Sequence, residues 1–228
     1  LSAAAGVTMD ADTGETLFAE NADSRLPMAS TTKIMTALVA LGEGDLDRVY
    51  TVKKQYAAVE GSSMYLEEGE RLTLRDTLYG LLLSSGNDAA AAVAGECGGE
   101  RAFVDKMNAK ARELGLTDTR FENPSGLPSD GHYTTARELA KITAAALRDP
   151  VFRDIVSTKT CTAAGRTLVN HNRLLSLYED AIGVKTGFTR AAGRCLVSAA
   201  ERNGRTVIAV TLNDPDDTFF GVPIAESG

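Results

Sequence analysis

Arg194-Cys195-Leu196-Val197-Ser198-Ala199-Ala200-Glu201, then Asn203-Gly204, then Arg205-Thr206-Val207-Ile208-Ala209-Val210-Thr211-Leu212 is the stretch that decides the architecture. Two apolar-rich runs flank a pair that tolerates positive φ, which predicts a β-hairpin closed by a tight turn. Ile182-Gly183-Val184-Lys185-Thr186, just upstream, reads as a further short strand. At the other end of the chain, Gly6-Val7-Thr8-Met9-Asp10 and Thr16-Leu17-Phe18-Ala19-Glu20 alternate in the strand manner around the polar loop Ala11-Asp12-Thr13-Gly14-Glu15. Strands joined by hairpins form an antiparallel sheet, so the predicted fold class is α+β rather than a βαβ series.

The middle of the chain carries helical signals. Ile34, Leu38 and Leu41, with Met35 and Val39, recur at helical spacing. Thr73 with Asp76 resembles a capping box ahead of Leu74, Leu78, Leu81 and Leu82. A helix is expected from about Glu100 to Leu114, with Phe103, Val104 and Met107 on one face and Gly115 as its stop. Another follows Thr135, with Glu138 three residues on, and ends before Pro150. The expectation is one domain, 1–228, with a sheet of about five strands drawn from both chain ends. Its sheet lobe covers about 1–29 and 160–228, its helical part about 30–159, and a cleft falls between them.

Composition narrows the partners. The 228 residues are 43% hydrophobic and 24% charged, an ordinary globular balance, which leaves room for one large core. Net charge is -7 with no clustered run of Lys and Arg, so nucleic acid is not expected as a partner. No apolar stretch approaches the roughly 18 to 20 residues that span a bilayer. The chain starts on Leu1 rather than Met, which points to processing and leaves targeting open. Cys97, Cys161 and Cys195 are odd in number and scattered, and read as free, mostly buried thiols. With only His132 and His171 beside them, neither a metal site nor a cofactor is expected.

Three short motifs carry chemistry. Ser30-Thr31-Thr32-Lys33 falls where the first helix begins, so the Ser hydroxyl and the Lys amine share a face. A Ser at a helix start also sets its N–H and the positive dipole end near any oxyanion that forms. The Lys serves as a base once burial or a second cation lowers its pKa. Such a match arises about once per 250 residues by chance, so alone it is as well read as a helix cap beside a solvated Lys. Ser85-Gly86-Asn87 lies between two helices, and alone reads as an ordinary turn. Lys185-Thr186-Gly187 lies on the predicted strand and matches roughly once in 4,000 positions.

Taken in this order, the three motifs resemble the signature of penicillin-binding proteins and class A β-lactamases, with Gly86 where that pattern has Asp. The chain is similar to the serine D-alanyl-D-alanine carboxypeptidases, the low-mass penicillin-binding proteins. The likeness extends to Pro27-Met28-Ala29, Gly61-Ser62-Ser63-Met64-Tyr65-Leu66, Asn123-Pro124-Ser125-Gly126-Leu127 and Ala192-Gly193-Arg194-Cys195. It spans nearly the whole chain.

The resemblance implies a β-lactamase/transpeptidase-like fold and roles for individual residues. Ser30 would attack the carbonyl of a terminal D-Ala-D-Ala bond, and Lys33 would take its proton. Lys185, a nearby cation, would hold Lys33 neutral and attract the substrate carboxylate, which Thr186 would also bind. Ser85 would pass a proton to the departing amine, and the Asn87 amide would position the substrate backbone and the Lys33 amine. Gly187 would let substrate approach the strand edge, and the backbone N–H groups of Ser30 and Phe188 would form the oxyanion hole. The implied partners are peptidoglycan stem peptides and β-lactam antibiotics. The implied location is extracytoplasmic, with any membrane attachment running through segments outside these residues. Some relatives place a carboxylate-binding Arg in the stretch that here reads Asn170-His171-Asn172-Arg173, which leaves His171 or Arg173 for that contact.

Rival readings differ in what they need. Class A β-lactamases add a Glu-x-x-Leu-Asn stretch, and this sequence has none. A transpeptidase passes the same acyl-enzyme to an amine instead of water. A penicillin receptor would hold the acyl group without releasing D-alanine. A Ser-His-Asp hydrolase of the nucleophile-elbow type needs Gly-x-Ser-x-Gly, also absent, and His132 and His171 read as loop or strand residues.

Overall fold

The computed structural model describes residues 1–215, 218–219 and 222–223. Five strands form one antiparallel sheet: β1 (Ala5–Asp10), β2 (Thr16–Glu20) and, from the far end of the chain, the later β7, β8 and β9. Between the two groups lie α1 (Lys33–Gly42), β3 (Val49–Thr51), α2 (Lys54–Ala57), β4 (Arg71–Thr73), α3 (Leu74–Leu82) and α4 (Asn87–Glu96). They are followed by α5 (Glu100–Glu113), α6 (Ala136–Leu147), α7 (Pro150–Ser157), β5 (Thr160–Ala163), β6 (Arg166–Val169) and α8 (Leu174–Leu177). The last three long strands are β7 (Ala181–Thr189), β8 (Gly193–Arg202) and β9 (Arg205–Asp214). The part of the expected sheet lobe at 216–217, 220–221 and 224–228 lies outside the described residues.

Both predicted hairpins form. Asn203 and Gly204 take φ of 54° and 75°, the positive pair that matches a tight turn to strand twist. The two chain ends then meet: β1 pairs with β9, Val7 opposite Val210, giving the order β2-β1-β9-β8-β7. This is the expected α+β sheet of five strands. β2 is one edge and is exposed along its length, and β7 is the other.

The helices are set by burial and caps. In α1 the residues Ile34, Met35, Ala37, Val39 and Ala40 are buried, and the helix touches α3, α4, α5 and α6. A helix apolar nearly all round belongs in a core, and this one carries Lys33 inward with it. α6 covers β1 and β9, and α7 covers β7. The Thr73–Asp76 capping box is complete, and the Thr135 side chain accepts from Glu138 N–H to cap α6. The Glu138 carboxylate turns elsewhere, taking N–H groups of Thr117 and Asp118.

Three features depart from the sequence expectation. Pro150, read as a stop, is also the first residue of α7, capped by Asp149, which accepts from Val151 and Phe152 N–H. Two short ribbons, β3–β4 and β5–β6, interrupt the mostly helical middle, because three or four residues hold too little alternation to be seen. The cysteines follow the expectation: all three are free, with Cys97 and Cys195 buried and Cys161 half-buried.

Candidate active site

Ser30 sits in a 3-10 turn, Ala29–Thr32, that feeds α1, rather than in the first α-helical turn itself. The residue before it, Ala29, has φ of 47°, a left-handed conformation that a non-glycine residue adopts only when its surroundings impose it. The imposition is visible. Thr32 Oγ1 donates to Ala29 O at 2.8 Å, and Thr31 Oγ1 donates to Met28 O at 2.6 Å. On the other side stands Gly126, where a Cβ would fall 1.9 Å from Ala29 O, so only glycine allows the 123–127 loop to press on the turn.

That loop is itself tied together. Asn123 Oδ1 accepts from Ser125 N–H and Gly126 N–H, and Thr36 Oγ1 on α1 donates to Pro124 O at 2.7 Å. Ser125 O is thereby aimed at Lys33.

The Lys33 amine is fully buried and 3.1 Å from Ser30 Oγ. Nζ also donates to Asn87 Oδ1 at 2.8 Å and to Ser125 O at 2.7 Å. Both partners are pure acceptors here, since the Asn87 amide nitrogen donates to Glu60 O, which fixes its orientation. A neutral amine has two N–H groups and one lone pair. Nζ is within hydrogen-bond distance of all three oxygens, and as a neutral amine Lys33 would turn its lone pair toward Ser30 Oγ. Burial and then the charge of Lys185 push the Lys33 pKa well below the ordinary lysine range, while Asp88 opposes the shift.

Lys185 comes from the middle of β7 and is also buried. Its Nζ donates to Ser85 Oγ at 3.0 Å and to Thr186 O at 2.9 Å, and burial lowers its pKa to about 7. Ser85 sits at φ of 57° in the link between α3 and α4. Asn87 opens α4, so the two ends of the Ser85-Gly86-Asn87 motif reach the two lysines separately: Ser85 meets Lys185, Asn87 meets Lys33.

Opposite Cys195 on β8, Gly187 lies where β7 passes the Ser30 turn. A Cβ there would stand 3.0 Å from Ser30 N and 3.1 Å from Thr31 N. Thr186 is half-buried beside it, and Phe188 is exposed, with the Arg194 guanidinium 5.7 Å from its ring centre. The free edge of β7 therefore runs over Ser30, with Thr186, Gly187 and Phe188 along it.

Of the two candidates left open upstream, His171 is close enough to Lys185 to feel its charge. Its backbone N–H donates to Leu83 O, and desolvation with the nearby charge of Lys185 lowers its pKa. Arg173 lines a separate cavity with Lys159.

Four contributors were not legible as site residues. Asp88 accepts from Ser63 Oγ and from the N–H groups of Met64, Leu66 and Ala89, which staples the 61–66 stretch to the start of α4. Its place beside the Ser-x-Asn motif was the available signal. Ser125 acts through its carbonyl, which no side-chain motif reports. Thr32 and His132 form a chain: Glu122 N–H donates to His132 Nδ1, so the proton sits on Nε2 and goes to Thr32 Oγ1 at 2.8 Å. Among the described residues no group of three or more His, Cys, Asp or Glu side chains could hold a metal ion.

A chain with this fold and this cluster has known relatives. The family profile described as D-alanyl-D-alanine carboxypeptidase matches residues 1–216. A D-alanyl-D-alanine carboxypeptidase of Streptomyces sp. (strain K15) is 40% identical over 93% of this chain and 81% of its own. D-alanyl-D-alanine carboxypeptidase DacF of Bacillus subtilis (strain 168) is 40% identical over 92% of this chain, which spans 57% of that relative's length. The crystal structure of the Streptomyces K15 DD-transpeptidase superposes with a TM-score of 0.89 at 39% identity, covering 95% of this chain and 91% of that one. Similarity of that extent, across both the sheet and the helices, makes this chain a member of the D-alanyl-D-alanine carboxypeptidase family.

Proposed function

We propose that the protein is a serine DD-peptidase that removes the terminal D-Ala from peptidoglycan stem peptides ending in D-Ala-D-Ala. The observation that carries this reading is the Lys33 amine: buried, 3.1 Å from Ser30 Oγ, and held by Asn87 Oδ1 and Ser125 O. In the first step Ser30 Oγ bonds to the carbonyl carbon of the penultimate D-Ala and its proton goes to Lys33 Nζ. The amide C–N bond then breaks, and Lys33 Nζ gives its proton through the Ser85 hydroxyl, which Lys185 holds, to the leaving amine, so that Lys33 is neutral again. Water next attacks the Ser30 ester and gives a proton to Lys33 Nζ; the ester C–O bond breaks, Lys33 returns the proton to Ser30 Oγ, and the shortened peptide leaves.

The other roles follow from position. Lys185 and Thr186 bind the terminal carboxylate, and Asn87 holds the peptide backbone together with the Lys33 amine. The backbone N–H groups of Ser30 and Phe188 stabilise the oxyanion. Gly187, lacking a side chain, lets a peptide lie along the β7 edge as an added strand. A β-lactam acylates Ser30 by the same route. The 1–228 chain acts as one catalytic domain, with its cleft between sheet lobe and helical part. Because stem peptides lie outside the cytoplasmic membrane, the protein works there. No helix among the described residues is long and apolar enough to cross a membrane.

Likeness to a DD-transpeptidase favours a second acceptor for the same acyl-enzyme, an amine in place of water. The test is release of free D-alanine from a diacylated Lys-D-Ala-D-Ala peptide by wild type and Ser30→Ala, with and without an added amine. Release by the wild type alone is expected, with labelling by penicillin lost in Ser30→Ala. Release by neither protein when folded would replace hydrolysis by the amine-transfer or receptor readings, and persistent labelling of Ser30→Ala would remove Ser30 as nucleophile.

A further inference from the structure

Asp88, the residue after the Ser85-Gly86-Asn87 motif, is 1% exposed and forms no ion pair among the described residues. A carboxylate buried without a cation is costly unless hydrogen bonds surround it, and here four do. Oδ1 accepts from Met64 N–H at 3.0 Å and Ala89 N–H at 2.8 Å. Oδ2 accepts from Ser63 Oγ at 2.6 Å and Leu66 N–H at 3.0 Å. Three of the four donors therefore come from one loop, 22 to 25 residues upstream.

The motif makes room for this arrangement. Gly86 stands where the related signature has Asp, and a Cβ there would fall 2.6 Å from Asp88 Oδ1 and 3.1 Å from Met64 N. The acid of this chain stands two positions on, and the missing side chain at 86 lets it reach the loop. The same loop reaches the base. Asn87 N–H donates to Ser62 O at 2.7 Å and Asn87 Nδ2 donates to Glu60 O at 2.8 Å, which leaves Oδ1 to accept from Lys33 Nζ at 2.8 Å. Residues 60 and 62 thus orient the amide that holds the amine, while Asp88 holds residues 63, 64 and 66.

We propose that Asp88 is a positioning residue for acylation: it fixes residues 60–66 against α4, and through them the Asn87 amide that keeps Lys33 Nζ beside Ser30 Oγ. The inference rests on the proposed role of Lys33 as base. Asp88 also leaves an electrostatic mark on that base. Two charges among the described residues act on Lys33: Lys185 from β7 disfavours its ammonium form, and Asp88 from α4 favours it. The groups in direct contact with the amine, Ser30 Oγ, Asn87 Oδ1 and Ser125 O, are uncharged, and His171 interacts with Lys185. Without the Asp88 charge, Lys33 sheds its proton at lower pH, which loss of a purely structural tie would not bring about.

The experiment follows the second-order rate of acylation by benzylpenicillin against pH in wild type, Asp88→Asn and Ser63→Ala. The acid limb of that profile reports protonation of the base. Asp88→Asn keeps the size but turns an amide N–H₂ toward donors. Its plateau should fall about 10- to 100-fold, as for a displaced catalytic group, and its acid limb should move to lower pH by about one unit. Ser63→Ala removes one tie and keeps the charge, so its plateau should fall about 3- to 10-fold with the limb where the wild type has it. An unmoved limb in Asp88→Asn overturns the proposal, and so does a wild-type plateau in either variant. Should Asp88→Asn fail to fold by circular dichroism, the Ser63→Ala plateau decides alone. A wild type that benzylpenicillin does not label, or a Lys33→Ala protein acylated as fast as wild type, overturns instead the reading of the site on which the proposal rests.

Discussion

A buried lysine must either find a counter-charge or give up its proton, and the first-line partners of Lys33 are an amide oxygen and a carbonyl. Burial without a counter-charge in direct contact favours the neutral amine over the ammonium. Lys33→Ala should slow acylation by benzylpenicillin by about 10²- to 10⁴-fold with an unchanged circular dichroism spectrum, the proposed role of Lys33 being that of general base. Unimpaired acylation would take Lys33 out of that role. His132 shows the same logic in its proton. It is buried, edge-on to Phe121, and its Nδ1 already accepts an N–H, so burial lowers its pKa to about 4. The unfolded chain takes up that proton near pH 6.5 and the folded chain does not. Stability present above pH 6.5 is therefore lost as pH falls toward 4, by about 3 kcal/mol. His132→Gln should flatten that slope in urea titrations between pH 6.5 and 4, and an unchanged slope would assign the loss to other groups. The sequence shows Ser30, Lys33 and Lys185 because their chemistry is in their side chains. It does not show Ser125, which works through its carbonyl, or His132, which reaches Ser30 only through Thr32 and Ala29.

At the scale of the element, β7 is the piece that turns a sheet into a binding surface. As an edge strand it has unpaired backbone groups, and Gly187 lets that edge close to 3.0 Å of Ser30 N as measured from an added Cβ. Gly187→Ala should push strand and turn apart by a few tenths of an ångström and misplace the oxyanion donors. The expected loss in kcat/KM is about 10²- to 10³-fold, as when one donor is removed, with urea midpoint close to wild type. A variant with full activity would show that the edge has room to spare. β7 itself, the hairpins and the capped helices were legible, because Asn203-Gly204 and Thr73-Leu74-Arg75-Asp76 carry their conformational preference in a few adjacent residues. α7 was legible in principle: Asp149-Pro150 is a cap followed by a first-turn proline, but the proline reads equally as the end of α6. The ribbon β3–β4 is held by pairing across a long loop, which no local pattern reports, and β5–β6 turns on Ala164-Gly165, whose Ala is a weaker signal of positive φ than Asn203.

The whole molecule is built so that two lysines from distant parts of the chain share one interior. α1 brings Lys33 from the helical side and β7 brings Lys185 from the sheet, and each burial works against stability. For Lys185 the sign is definite. Its folded pKa of about 7 lies below the ordinary 10.5, so the unfolded chain holds a proton between those values that the folded chain has lost. Stability is full above pH 10.5 and declines as pH falls toward 7, by on the order of 5 kcal/mol. Lys185→Met keeps the volume and removes the titration, at the cost of the donors to Ser85 Oγ and Thr186 O. Replacing buried charge by a well-packed apolar side chain is often neutral or stabilising. The variant should therefore have a urea midpoint at pH 7 equal to or above wild type, with wild type drawing level as pH approaches 10. Over the same range, acylation of the variant by benzylpenicillin should be far slower. A Lys185→Met protein less stable than wild type at pH 7 would mean that its two hydrogen bonds outweigh desolvation. Lys185 would then be a structural tie, and the tension between site and fold would have to rest on Lys33 alone.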